Sequence, residues 1–436
     1  MWNQSSGGPT LSGRSSKSRW CIAFLTALAL SMAAGCGNSS TDQAGGKSGG
    51  GDILIGAPMP LTGGGAAFGV PALNAMQLAI DDINKSGGIK EFGGAKLKLK
   101  VVDTRSDPVL AGQVLRQMST ENISALVGPM LSAEVVTNVP LIQRLGIPVF
   151  SAYLDDRATD NNDGGYIFRV NDRSAAWGKQ GVDYLKSLEK EKGTSIERVG
   201  LVSINVPPGT STAEAIKAGA QENGWSVTNV AYDQKTTKDF APIVAKLKEA
   251  NVQVVTGYQN PGDAILFAKA IAAQSWRPQY GFFWVAGGQY LNSFKKELGG
   301  SVNGWMDVSY TAALASGYFP QGVHSIAEQF ASKYNEPLTG YAAASVSVVA
   351  VIAEAVAKAK SRNPKDVAAA ARELKFANAS AFHYPYWTMY GGLEFNKSQD
   401  NVAWRGAVIQ LAGTDGQTVV SPSEAATGPV KWPQGR

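Results

Sequence analysis

The sequence predicts an α/β protein built from parallel sheets with helices on both faces, and three observations carry that prediction. Short apolar runs alternate along the chain with segments of three- and four-residue apolar spacing. The alternation starts at Ile53 and restarts near Val199. The two stretches also match locally: Asn122-Ile-Ser-Ala-Leu-Val-Gly128 parallels Asn251-Val-Gln-Val-Val-Thr-Gly257, each after an amphipathic segment and before a polar loop. Strand–helix alternation indicates parallel sheets covered on both sides. The restart indicates two similar lobes.

In order, residues 53–57 form a strand stopped by Pro58 and Pro60. Leu73, Met76, Ile80 and Ile83 mark one helical face, which Gly87-Gly88 ends. Leu97, Leu99 and Val101 alternate with lysines as a half-exposed strand. A helix at 109–121 leads to the strand 123–128, and a helix at 134–145 leads to the strand 147–151. In the second stretch, strands at 199–204, 227–232, 252–257 and 280–285 alternate with helices at 212–223, 239–250 and 261–273. The last third begins with strand-like residues 304–310. It continues with an Ala/Val-rich buried helix at 340–360 and strands at 393–395 and 407–411. The polar, Pro-containing tail, 421–436, is expected to be loose.

The N-terminus reads as an export signal. Arg14, Lys17 and Arg19 precede an apolar run at 20–30, and small residues Ala33-Ala34-Gly35 stand before Cys36. The segment resembles a bacterial lipobox, whose cysteine becomes the lipidated N-terminus, although Ala33 stands where leucine is usual. The alternative is a plain secretory signal. Residues 1–36 are therefore the expected signal, and the small polar stretch 37–52 a flexible tether. No later run is apolar for about 18 residues, so anchoring would be through lipid alone. Cys21 lies within the signal, which leaves no pair for a disulfide.

The net charge of +5 owes three units to the signal segment, so the remainder is nearly neutral and indicates no nucleic-acid face. Catalytic and metal motifs are lacking. The two histidines, His324 and His383, lie away from the predicted loop tips, and no HExxH, CxxC or GxSxG occurs. The GGKS of the tether lacks the earlier glycine of a phosphate loop. The glycines at 63–69 have the wrong spacing for a dinucleotide fingerprint. The expectation is a binding protein with no cofactor and no enzymatic activity.

A set of short motifs carries a resemblance. These are Ile55-Gly-Ala-Pro-Met-Pro-Leu-Thr-Gly63, Phe68-Gly69, Ala79-Ile-Asp-Asp-Ile-Asn84, Gly87-Gly-Ile89, Val102-Asp103 and Asp107-Pro108. Further on are Ala125-Leu-Val-Gly-Pro129, Gly146-Ile-Pro-Val149, Tyr166-Ile-Phe-Arg169 and Asp239-Phe240. Over 53–310 the chain resembles the branched-chain amino-acid (leucine-binding-protein-like) type of periplasmic binding protein, the receptors of ABC importers. The resemblance implies two doubly wound lobes, a type I periplasmic binding fold, joined by three crossover strands, with the ligand in the cleft. One lobe is expected to combine 53–171 with 308–385, the other 172–307 with 386–420. The implied partners are a small-molecule ligand and ABC permease subunits, with no nucleic acid.

The resemblance also places the cleft. Phe68 stands where the family has an aromatic wall, and Ser132 matches a serine that holds a ligand carboxylate, though it could equally cap its helix. Asp155 replaces the family's Ser or Thr and either attracts an ammonium or hydroxyl, or is solvated or caps the next turn; Tyr153 offers ring or backbone. In the second lobe Asn205 and Tyr258 sit in contact loops, and Ala286 takes the place of the acid that pairs with an ammonium. Trp284, Trp177 and Tyr258 are either stacking platforms or core rings. Three ligand classes remain open: branched-chain or related amino acids, small amides, and aromatic or other apolar carboxylates.

Overall fold

The computed structural model describes residues 51–152, 155–160, 162–285, 292–309, 311, 314, 316–413 and 416–433. Cys36, Tyr153 and Ala286 lie outside the described residues.

The first sheet grows from β1 (Ile53–Met59), β2 (Leu97–Asp103), β3 (Ile123–Val127), β4 (Val149–Ser151) and β5 (Ile167–Arg169), all parallel, in the order β2-β1-β3-β4-β5. The intervening helices are α1 (Ala66–Lys85), α2 (Pro108–Ser119), α3 (Ser132–Leu145) and the short α4 (Arg157–Asp160). Every residue of β3 is buried, as a parallel strand covered on both faces requires.

The second sheet repeats the plan. It holds β6 (Arg198–Ile204), β7 (Ser226–Tyr232), β8 (Val254–Gly257), β9 (Gly281–Val285) and β10 (Met306–Ser309). Their helices are α5 (Ser174–Lys192), α6 (Pro207–Glu222), α7 (Ala241–Glu249), α8 (Pro261–Ala273) and α9 (Asn292–Leu298). The parallel order β7-β6-β8-β9-β10 reproduces that of the first sheet. In β9 alternate side chains reach opposite layers: Phe283 and Val285 approach Gly181 of α5, while Phe282 and Trp284 meet Phe267 of α8.

The chain then returns to the first sheet with α10 (Gln321–Tyr334), α11 (Gly340–Ala359) and α12 (Pro364–Arg372). α11 packs on α1, and α2 and α3 build a separate apolar cluster with β3. α11 is long and apolar enough to cross a membrane, but it is enclosed in the protein, as the Ala/Val-rich sequence predicts. Two small ladders follow: β11 (Lys375–Phe376) with β13 (Leu393–Glu394), and β12 (Tyr390–Gly391) with β14 (Trp404–Arg405). Finally β15 (Ala407–Ala412) joins β10 antiparallel and β16 (Gly416–Ser421) extends the second sheet.

Two expectations need correction. α6 begins at Pro207, five residues before the predicted start. Two prolines open the helix, where their fixed φ suits the first turn and no N–H is needed. The tail is not loose through its described residues. Trp432 stacks on Tyr280 at 5.2 Å and donates to Thr194, and Lys431 exchanges hydrogen bonds with Gln410. A buried aromatic contact outweighs the polar composition that suggested a free end.

The chain passes between the sheets at 169–174, at 309–320 and at 386–407. The first and third passages meet in a buried ionic network. Arg169, fully buried, donates to Asp400 (2.7 Å), Asp156 (3.2 Å), Thr159 (2.8 Å) and the Asp155 carbonyl (3.0 Å). Arg173 joins through Asp160 and lies 3.9 Å from Asp400.

Asp172 stands beside this network. Burial, with Asp400 and Asp156 nearby, pushes its carboxyl up to about 6. A carboxyl raised above its unfolded value of about 3.9 binds its proton more tightly in the folded state. The stabilisation from that proton is complete below about pH 4 and is lost as pH climbs through about 6. Asp172→Asn keeps an oxygen for the Arg173 N–H (2.7 Å) and removes the titration. Urea midpoints between about pH 4 and 7 should fall less steeply in this variant, and at neutral pH it should be at least as stable as wild type.

Candidate functional site

In a doubly wound sheet, ligands settle beyond the strand carboxyl ends at the point where strand order reverses. Here those points lie between β1 and β3 and between β6 and β8. Both adjoining loop pairs are tightly built. Leu61 and Thr62 after β1 donate to Asp103, and Gly65 N–H donates to Ser106. Behind β8, Gly257 has a φ of +141°, and a Cβ there would lie 2.0 Å from the Val202 carbonyl. Only glycine permits that approach. It allows Ile204 N–H to donate to the Tyr258 carbonyl (3.0 Å) and Tyr258 N–H to donate to Ser203 (3.1 Å).

Three aromatic residues converge at the strand ends. Phe68, 40% exposed, packs on Tyr341 of α11 with ring centroids 4.9 Å apart. The Tyr341 hydroxyl is raised well above its ordinary pKa by burial and by the neighbouring Tyr258 hydroxyl. Burial and then Asp307 push Tyr258 itself up to about 12. Tyr258 follows β8 of the second sheet and Tyr341 belongs to a helix on the first, so the coupling spans the two halves. Beneath Tyr341, a small apolar recess of about 20 Å³, room for about one water, opens between β1, β3 and β4.

Ser132 and Asp155 are also brought together, and of the alternatives at Asp155 the structure shows the cap of the next turn: its carboxylate accepts from the Arg157 N–H that opens α4. Ser132 accepts from the Asp155 N–H (3.0 Å). The cap position of α3 falls on Leu131, whose N–H is taken by the Glu134 carboxylate, so Ser132 is the first helical residue and not the cap. Glu134 is fully buried. Burial raises its pKa against the opposing bonds from Thr104 (2.5 Å) and Leu131. The Asp155 carboxylate is 3% exposed and gripped by Arg157 through Nε (2.8 Å), Nη2 (2.9 Å) and N–H (3.0 Å). Burial works to raise its pKa, yet the bonds and charge of Arg157 hold it below the usual carboxylate value. Asp155 is neither solvated nor free for an ammonium.

The other expected residues divide. Asn205 is exposed at the end of β6. Trp284 is fully buried, edge-on to Phe267 (5.5 Å) and near Trp305 (6.2 Å). Trp177 is 3% exposed and lies against Trp404 at 5.6 Å. Both tryptophans are core rings and are withdrawn as stacking platforms. The residues that sequence reasoning missed are Tyr341, Gln259 and the methionines around the recess. Tyr341 was hidden in a segment whose only signal was that of a buried helix. Among the described residues, no cluster of His, Cys, Asp and Glu could hold a metal ion.

A family profile described as a periplasmic binding protein matches residues 52–416. The chain belongs to the periplasmic binding proteins. Its curated relatives include the Leu/Ile/Val-binding protein homolog 8 of Brucella melitensis, 24% identical over 87% of this chain and 93% of the relative. Homolog 7 of Brucella abortus is 26% identical over 90% and 97%. A putative branched-chain amino acid ABC transporter protein from Silicibacter pomeroyi superposes with a TM-score of 0.72 at 21% identity, covering 87% of this chain and 98% of its own. The α/β fold and the family expected from the sequence are those found. A periplasmic binding protein is an extracytoplasmic receptor for a substrate and not an enzyme.

Proposed function

We propose that this periplasmic binding protein captures a branched-chain amino acid or a related small solute between its two sheets, and delivers it to the permease of an ABC importer. The observation that carries the reading is that Phe68 packs on Tyr341 of α11 at the open end of the first sheet, while Tyr258 stands at the matching switch point of the second, whose five parallel strands follow the same order. Loops from both halves thus converge on one volume, as hinge closure over a guest requires. In this reading Phe68, Ser132 and Tyr258 line that volume and Asn205 contributes from the end of β6, while Tyr153 and Ala286 are assigned to it from the sequence alone. The export signal and Cys36 support a lipid anchor on the outer face of the membrane.

A solute that binds only the folded protein raises its melting temperature. Branched-chain amino acids, small amides and apolar carboxylates screened in this way should yield at least one clear shift. Ser132→Ala and Tyr258→Ala are each expected to weaken the responding solute by about tenfold with an unchanged unliganded melt. Wild-type affinity in both variants would remove the cleft from these loops. Metabolic labelling with palmitate should mark wild type and not Cys36→Ser; equal labelling refutes the anchor.

A further inference from the structure

We propose that the end of the first sheet where the described chain begins, around Gly51, rests on an anionic lipid surface. The inference builds on the lipid-anchor reading above and adds to it a contact made by the folded protein itself.

The point of emergence is held in place. Gly51 is exposed, and its carbonyl accepts from Arg362, which follows α11 and lies over the Phe92 ring at 4.9 Å. Asp52, the next residue, pairs with Lys98 of β2 (2.6 Å). Gly51 follows Cys36 by 15 positions. A lipid on Cys36 would therefore keep this point within about 50 Å of the bilayer. A face tethered so closely meets the surface at a high effective concentration.

Cations gather round that point from separate elements. Lys85 closes α1, Lys90 opens the turn at Lys90–Phe92, Lys96 and Lys98 stand at the start of β2, and Lys360 caps α11. All five are exposed. Asn84 exchanges hydrogen bonds with Leu97 and accepts from Lys96, which ties the end of α1 to the start of β2. α11 packs along α1 and reaches the turn at Lys90–Phe92. With Arg362 there are six cations, against the two acids Asp52 and Glu91. The charges further out cancel: Lys358 pairs with Glu373 (3.3 Å), Lys100 with Glu121 (3.4 Å), and Lys365 precedes Asp366. Asp81 and Asp82 lie a turn back along α1, where they accept from Gln77 and Tyr386.

The chain beyond the signal is nearly neutral, so this excess belongs to one end of one lobe. Helix ends favour lysine for their dipole, and an edge strand uses lysine to repel pairing. Those rules account for Lys85 and Lys98 one at a time. They do not bring Lys90, Lys96 and Arg362 to the same place. Anionic headgroups attract exposed lysines, and the attraction fades within about 10 Å at ordinary ionic strength. Only a face kept beside the bilayer profits from it. This end carries the amino ends of β1 and β2, whereas the candidate cleft lies beyond their carboxyl ends. A protein resting here turns its cleft loops to the solution, where solute is captured.

Vesicle sedimentation tests the contact. The chain from Gly37 to Arg436 keeps every described residue and carries no lipid. It is mixed with vesicles of phosphatidylcholine alone, or of phosphatidylcholine and phosphatidylglycerol in equal parts. At low salt, about tenfold more protein or better should pellet with the anionic vesicles. Salt at about 0.5 M should abolish the difference. The combined variant Lys85→Gln, Lys90→Gln and Lys360→Gln should lower anionic binding by about tenfold, with its melt unchanged. A matched change of exposed lysines in α6 and α7, Lys217→Gln, Lys246→Gln and Lys248→Gln, should leave binding within about twofold of wild type. Equal pelleting on both lipids overturns the inference. Equal losses in the two triple variants overturn its placement on the first lobe. The chain used here has no lipid, so these outcomes are independent of palmitate labelling at Cys36. Failed labelling with intact anionic binding would sink the anchor and leave this contact standing.

Discussion

Trp284→Ala is expected to lower folding stability by about 3–5 kcal/mol, the usual cost of deleting a large buried ring. The ring has no exposure and packs edge-on to Phe267 at 5.5 Å, with Trp305 at 6.2 Å. Its removal leaves a cavity between β9 and α8 that a layered sheet cannot close. The Nε1 of Trp284 has no hydrogen-bond partner, so Trp284→Phe loses no bond and should cost only a fraction as much. Urea unfolding of the two variants checks this. A wild-type midpoint for Trp284→Ala together with lost ligand binding would return the ring to the cleft.

Trp284 also shows where the sequence stopped being legible. In a parallel strand buried on both faces, alternation of apolar and polar residues disappears, and with it the signal for which way a side chain points. The strand at 280–285 and its loop were readable, but the direction of Trp284 was not. The cleft loops could be placed because each follows a recognisable strand, as with Gly128 and Gly257. The apolar recess could not be foreseen. It combines Met59, Met76 and Met130 with Tyr341 and Val348, residues brought together only when α11 returns across the first sheet. The pairing of Asp155 was missed for a related reason. Arg157 is only two residues away, but the sequence does not show that its half-exposed side chain turns back onto Asp155, a turn set only once Arg169 holds the Asp155 carbonyl.

Arg169→Met is expected to destabilise the fold by about 3–5 kcal/mol, because removing one partner of a buried ion pair strands the other. Asp400 is 1% exposed, and without Arg169 its nearest cation is Arg173, at 3.9 Å. The loss reaches the cleft through two contacts. Arg169 holds the Asp155 carbonyl, whose residue donates to Ser132, and it fixes Asp156, which accepts from Ser211 of α6 (2.8 Å). Asp156 follows the first sheet and Ser211 covers the second, so a single guanidinium supports both the loop beside the proposed ligand site and a bridge between the halves. Ligand affinity should therefore fall along with stability in Arg169→Met. Adding Asp400→Asn should restore part of the stability, since it neutralises the stranded charge, but not the affinity, since the Asp155 carbonyl and Asp156 remain unsupported. A urea midpoint within error of wild type for the single variant would refute this role. Full recovery of binding in the double variant would show that charge balance alone, and not the geometry held by Arg169, governs the cleft.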